Sequence, residues 1–284
     1  MGTIEFIDLL KDVYLEQYPG TEIELCDVLK NNNVRELKCS FKESEHIAPM
    51  FNVDYLIQMY TDGKTMSDIV NTIHSYQNFR EGLVTDALCD VTKIATCLIN
   101  KQKNMERLQD IPYYDVEDLA LIFKIIVAHD SNGLQTITVT NKLLEFMKLD
   151  KKELLGHAIN NQPILTPIIH GSMDDILYKY YGIDFGVTTN KLIVVTFENL
   201  IDGASAIVFP NKVIEILKHY NLDKAYCIPS STNEVLLTPY TGDKSDELSL
   251  KSLIKKVNKT CVSKKEFLSD NLYMIDENGV FKMI

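Results

Sequence analysis

A chain of 284 residues with 45% hydrophobic and 24% charged residues has the composition of an ordinary globular protein, which excludes the disordered, collagenous and membrane-embedded classes. A net charge of −11 opposes non-specific attraction to polyphosphate, because nucleic-acid affinity rests on cations that displace condensed counterions. Arg35, Arg80 and Arg107 are the only arginines, tryptophan is absent and the aromatic residues do not interleave with basic ones, so neither forked base contacts nor a stacking platform is expected.

From the N-terminus, Met1 to Phe6 shows no leader pattern, and no later window approaches the roughly 18 apolar residues of a membrane span, which points to a cytoplasmic protein with no membrane contact. Ile4, Leu9, Leu10, Val13 and Tyr14 recur at helical intervals, and Pro19-Gly20 stops the amphipathic helix they define over Thr3 to Tyr18. Glu22 to Leu29 and Val34 to Phe41 flank a run of asparagines and read as a hairpin. A two-residue loop, Asn32-Asn33, would set Cys26 against Cys39. A three-residue loop, Asn31 to Asn33, sets Leu25 against Cys39 and Ile23 against Phe41, which is the better apolar match and the register expected. The six cysteines, at 26, 39, 89, 97, 227 and 261, lie singly among apolar neighbours and read as buried thiols in a reducing compartment.

Asn52 to Tyr60 and Thr65 to Tyr76 read as helices, the second opened by a capping pattern from Thr65 to Asp68. Gly63-Lys64-Thr65 imitates the end of a phosphate-binding loop, but Gln58 occupies the upstream glycine position and a helix precedes it where a strand is required. Val91 to Asn100 alternates loosely and fits strand or helix, with strand the expected reading. The apolar run Val116 to Ala128 ends in the turn Asp130 to Gly133, and Gln135 to Thr140 returns as a strand. Helices follow at Asn141 to Met147 and, capped by Asp150, at Lys151 to Asn160. The proline-punctuated stretch Gln162 to Pro167 is the candidate boundary between an N-terminal lobe, 1–162, and a C-terminal lobe, 163–284, with one continuous domain as the alternative. Beyond it come a helix at Met173 to Tyr181, strands at Leu192 to Phe197 and Ala204 to Val208 joined by Asp202-Gly203, and a helix from Pro210. Short strands at Tyr226 to Ile228 and Glu234 to Thr238, a helix at Leu248 to Val257 and a hairpin around Glu277-Asn278-Gly279 complete the chain. Paired strands separated by groups of helices define an α+β fold with antiparallel or mixed sheet, helices packing mainly on one face.

No constellation specifies chemistry. The six histidines, at 46, 74, 129, 157, 170 and 219, show neither H-E-x-x-H nor an i, i+4 ligand pair, so no metal and no cofactor is expected. Pro229 to Glu234 is the most site-like segment, with Ser230, Ser231, Asn233 and Glu234 as candidate polar residues. Without a nucleophile elbow, these residues read first as a hydroxyl-stabilised turn. Lys251, Lys255, Lys256, Lys259, Lys264 and Lys265 form a basic spot on an acidic molecule and are the candidate docking patch for an acidic partner.

The chain resembles an uncharacterised bacterial family of unknown function from low-GC Gram-positive bacteria and their mobile elements. The likeness spans about Val28 to Tyr273 and rests on the order of short segments. These are Lys30 to Asn33, Ile47-Ala48-Pro49 before Tyr55, Leu98-Ile99-Asn100 with Asn104, Leu108 and Pro112, and Asp118-Leu119-Ala120. Val139-Thr140-Asn141, Gly203 to Ala206, Pro229-Ser230-Ser231 with Glu234, and Leu268-Ser269-Asp270 follow. The resemblance implies glycine where this chain has Asn33, which keeps the turn geometry available, and often histidine where it has Asn233. It carries no activity. The expected function is therefore that of a non-enzymatic protein-binding or regulatory, inhibitor-like protein. The alternatives are a hydrolase or transferase built on Ser230, Ser231 and Glu234 with His170 or His219, and an acidic mimic of DNA.

Overall fold

The computed structural model describes residues 2–42, 50–130, 133–183 and 192–284. His46, Ile47, Ala48, Pro49, Ser131 and Asn132, singled out above, lie outside the described residues, as do the side chains of Arg80, Cys89 and His129. The chain forms two compact units, 1–30 with 34–89 and 31–33 with 90–284.

In the first unit, α1 (Thr3–Gln17) is followed by the hairpin β1 (Glu22–Leu29) and β2 (Arg35–Lys42), with β3 (Met50–Asn52) added to β2. The register sets Ile23 against Phe41 and Leu25 against Cys39, as the apolar match requires, and Cys26 faces Lys38. Helix α2 (Val53–Thr61) is capped by the Asn52 side chain. Helix α3 (Met66–Cys89) opens on a reciprocal box in which Thr65 Oγ1 accepts from the Asp68 amide at 3.1 Å and Asp68 accepts from the Thr65 amide at 3.0 Å. It runs well beyond the expected Tyr76. Phe6, Leu10, Tyr14, Phe41, Leu56 and Ile73 form this unit's own core.

The second unit holds two antiparallel sheets. β4 (Ile94–Asn100) pairs with β6 (Leu119–Asp130), which is also lined by β5 (Tyr114–Val116) and β7 (Gly133–Thr138). Two helices follow, α4 (Asn141–Phe146) and α5 (Lys151–Leu165), the latter with a complete Asp150 and Glu153 capping box. The other sheet has six strands in the order β13-β12-β10-β11-β9-β8, written in chain order as β8 (Ile168–Ser172), β9 (Ile193–Phe197), β10 (Lys224–Ile228), β11 (Glu234–Pro239), β12 (Tyr273–Asp276) and β13 (Phe281–Met283). Helix α6 (Met173–Tyr181) follows β8, α7 (Pro210–His219) follows β9, and α8 (Lys244–Thr260) lies between β11 and β12.

Alternation along these strands explains the layers. Val195, Phe197, Val235, Leu237, Ala225, Cys227, Tyr273 and Ile275 pack with Leu98, Leu119 and Leu121 of the other sheet and with Val213, Ile216 and Leu217 of α7. Tyr226, Ile228 and Leu272 point the other way and meet Ile254 of α8. The architecture is α+β, with three antiparallel sheets among the described residues.

Three differences from the sequence reading have physical causes. Residues 204–208, expected as a strand, form a 3-10 helix, Gly203–Val208: Asp202 adopts φ 56°, and Ala204, Ser205, Ala206 and Ile207 are buried in succession instead of alternating. Small side chains with weak strand preference suit that close packing. The stretch 162–167 does not separate compact units, because α5 runs through Pro163 and the contact division falls between 89 and 90. Ile168–Ser172, not anticipated, is a strand in which every residue is half-buried, so no apolar alternation marks it.

Candidate functional site

The loop joining β10 to β11 is closed on itself. The Ser231 hydroxyl donates to Glu234 Oε1 at 3.1 Å and accepts from the Asn233 amide at 3.0 Å, and the Ser231 amide donates to the Glu234 carbonyl at 3.3 Å. Ser231 and Thr232 are buried. The Thr232 carbonyl accepts from the Ala204 amide at 3.1 Å, and its amide donates to the Glu266 carbonyl at 2.8 Å. Asn233 spans two further loops: Oδ1 accepts from the Asp202 amide at 3.2 Å and Nδ2 donates to Glu266 Oε1 at 3.1 Å. The Asn233 carbonyl accepts from Thr196 Oγ1 at 2.6 Å. Each of these groups satisfies a chain reversal, which is the ordinary work of Ser, Thr and Asn side chains in turns.

Neither histidine named as a base reaches that loop. Ladder pairing aligns His170 with Val195 and Val235, and Ile169 with Thr196 and Glu234. His170 and Glu234 therefore project from opposite faces of the sheet, two strands and roughly 10 Å apart. His219 is on the His170 side: the two ring centroids are 5.1 Å apart, and His170 Nδ1 lies 3.2 Å from the Tyr220 hydroxyl. Burial, and then the neighbouring His219, lower the His170 pKa from its ordinary value. His170 and His219 line a concavity of about 470 Å³ with Pro163, Pro167, Ile168, Lys212, Glu215 and Ile216.

A polar junction that sequence reasoning missed lies at the outer edge of β4. Lys124 Nζ donates to Asp202 Oδ2 at 2.6 Å, and Cys97 Sγ donates to Asp202 Oδ1 at 3.1 Å. Burial first, and the Asp202 charge next, push the Cys97 thiol up to about 12, so it is held protonated and is a poor nucleophile at neutral pH. Arg107, its pKa lowered by burial, donates to Thr138 Oγ1 at 3.0 Å. On the other face of the strand, Gln162 Oε1 accepts from the Thr96 amide at 2.7 Å, while the Ser205 hydroxyl contacts Thr96 Oγ1 at 3.0 Å and donates to the Asp202 carbonyl at 2.9 Å. Side chains thus occupy the backbone groups that an edge strand would leave unpaired. The available signal was Lys124, the one charge within the apolar run Leu119 to Ala128.

The lysine patch is assembled largely on one element. Lys251, Lys255 and Lys259 repeat every four residues on α8, which aligns them about 5–6 Å apart along one side of the helix. Lys255, Lys256, Lys259, Lys264 and Lys265 are exposed and Lys251 is half-buried, whereas Ile254 turns into the core. Among the described residues, none of Lys251, Lys255, Lys256 and Lys259 pairs with a carboxylate, and no group of three or more His, Cys, Asp or Glu is placed to hold a metal ion. No described helix is long and apolar enough to cross a membrane.

These features define an α+β protein whose serine loop is a satisfied turn and whose most distinctive surface element is a basic helix. The chain belongs to the family of unknown function DUF5688, which matches residues 4–277. No curated protein and no solved structure matches it.

Proposed function

We propose that this protein is a non-enzymatic, protein-binding or regulatory protein of the bacterial cytoplasm, of the kind carried by mobile elements, and that the basic side of α8 receives an acidic segment of its partner. Charge segregation is the observation that carries the reading: residues 251–265 contain six lysines and no acidic residue in a chain whose net charge is −11. Such a surface steers an acidic partner and orients it as it docks. The free thiols at Cys26, Cys39, Cys97, Cys227 and Cys261 fit a reducing compartment. Engagement of the Ser231 hydroxyl and of Asn233 in turn closure supports a binding role over acyl or group transfer.

The test is titration of the full chain into a fluorescein-labelled oligoglutamate peptide, with an uncharged Gly/Ser peptide as control, at two salt concentrations. The expected result is salt-sensitive binding that Lys251→Glu, Lys255→Glu and Lys259→Glu together weaken about tenfold or more, each exposed pair contributing up to about 1 kcal/mol. Equal binding by wild type and triple variant would remove the reading's support.

A further inference from the structure

The six-stranded sheet ends on β8, and the ladder that joins β8 to β9 fixes which of its backbone groups are used. The Glu198 amide donates to the Pro167 carbonyl at 2.9 Å and the Met173 amide to the Leu192 carbonyl at 3.2 Å. With antiparallel alternation, residues 167, 169, 171 and 173 face β9, so Ile168 and His170 turn both N–H and C=O outward. Among the described residues neither backbone takes a partner on that side. Their spacing, about 7 Å, is the two-residue repeat of another strand.

Among the described residues, protection of the edge is limited to the shortness of β8 and Pro167 just before it, since β8 contains no lysine and no bulge. Helices border it on both faces. On the face with Ile168 and His170, α7 supplies Lys212, Ile216 and His219 to the 470 Å³ concavity. A second concavity of about 500 Å³ runs round the edge: α6 supplies Asp175, Ile176 and Lys179 to it from the face with Gly171, and it shares Ile168, His170 and His219 with the first. Side chains of an extended chain alternate between faces, so each would meet one of these hollows in turn.

We propose that the β8 edge is a binding site for an extended peptide segment of another protein, which adds as a further antiparallel or parallel strand and bonds through the backbone of Ile168 and His170. An apolar side chain fits the α7 side, against Ile168, Ile216 and the two prolines, and a polar one fits the α6 side, between Asp175 and Lys179. Recognition of this kind takes affinity from main-chain hydrogen bonds and specificity from alternate pockets. A second copy of the chain is a poorer occupant, because the α6 and α7 that border one β8 would meet those of the other, whereas a free peptide brings no helices to the edge. The site is separate from the basic side of α8, and either surface can fail without the other.

The experiment selects displayed random heptapeptides on the full chain, with counter-selection on His170→Pro. Proline at 170 removes one outward N–H and leaves the ladder to β9 intact, because that amide is not part of it; His170→Ala controls for loss of the imidazole. The expected result is peptides that bind wild type, His170→Ala and the α8 triple variant alike and bind His170→Pro at least tenfold more weakly. In wild type, a selected peptide slows amide exchange at Ile168 and His170 and leaves Ile169 and Gly171 unchanged, a readout that decides the matter even where His170→Pro fails to fold. Failure to enrich any peptide, equal binding to His170→Pro, or protection without that alternation would overturn the proposal. Self-association abolished by His170→Pro would assign the edge to a second copy and overturn it equally.

Discussion

Gly203 is the position at which one added methyl group should do the most damage. It begins the 3-10 helix Gly203–Val208, and a Cβ there would sit inside 3.0 Å of Thr196 Oγ1, the Asn233 carbonyl oxygen and the Phe197 amide nitrogen, the last at 2.6 Å. Two of the three are backbone atoms, one at the end of β9 and the other just before β11. The third already donates to Asn233 at 2.6 Å, so no flexible chain end is available to give way. Relief requires the 3-10 segment to lift off the sheet, which strains the bond from the Ala204 amide to Thr232 and that from the Asp202 amide to Asn233. Overpacking costs about 1–3 kcal/mol, and two weakened hydrogen bonds add about 1 kcal/mol each, so Gly203→Ala should lose about 3–5 kcal/mol. For a unit of this size that lowers Tm by about 10 °C, read by calorimetry and by urea unfolding monitored by far-UV circular dichroism. Gly156→Ala is the matched control. It lies within α5 with nothing within 4 Å of the added carbon, and should gain about 0.5–1 kcal/mol. A Gly203→Ala protein within about 1 kcal/mol of wild type would refute the close approach of the 3-10 segment to the sheet.

Lys124→Met leaves the Asp202 carboxylate, whose side chain is 13% exposed, with a thiol as its hydrogen-bond partner and Arg107 as its nearby cation, and should cost about 3 kcal/mol in urea unfolding, part of it recovered in Lys124→Met with Asp202→Asn. Burial, and then the Asp202 charge, push the Cys97 thiol from its ordinary value of 9.0 up to about 12, so the folded state holds the proton more tightly than the unfolded chain does. Its contribution is complete below about pH 9 and declines as pH rises toward 12, and Cys97→Ala should flatten that decline in Tm. Asn33 has φ 58° and, among the described residues, no side-chain hydrogen bond, so Asn33→Gly should be neutral or gain about 0.5 kcal/mol. Asn32→Gly should instead lose about 1–3 kcal/mol in equilibrium unfolding, because Asn32 Nδ2 donates to the Lys264 and Phe267 carbonyls at 2.8 and 2.7 Å and Oδ1 accepts from Asn104 Nδ2 at 2.9 Å.

Local rules were legible where one residue decides one bond. Asp150 and Thr65 announced helix starts, the asparagine run announced a turn, and matching Ile23 with Phe41 chose the hairpin register. Legibility ended where tertiary packing sets the conformation. Ala204 to Val208 has an apolar run's composition, yet Asp202 in the left-handed region and Gly203 against the sheet wind it into a 3-10 helix. The proline at 163 looked like a boundary, but it sits where α5 tolerates it, and Gln162 and Thr166 around it bond to each other within the core. The Lys124, Asp202 and Cys97 junction could not be assembled from the sequence at all, because its members are 78 and 105 positions apart and each is unremarkable alone.

The same accounting of polar groups bears on where function resides. Ser231, Asn233, Thr196, Ser205 and Gln162 are the polar side chains in and around the candidate loop, and each is bonded to a neighbouring turn or to the edge of β4. An active group must keep a lone pair or a proton for its substrate, and groups already satisfied in a buried network give these up only at a cost of about 1–3 kcal/mol apiece. Among the described residues, unspent capacity is found instead in the outward N–H and C=O of Ile168 and His170 and in the lysines of α8. As proposed, one surface would supply directional backbone bonds and the other charge, so that a partner is first attracted and an extended part of it then held.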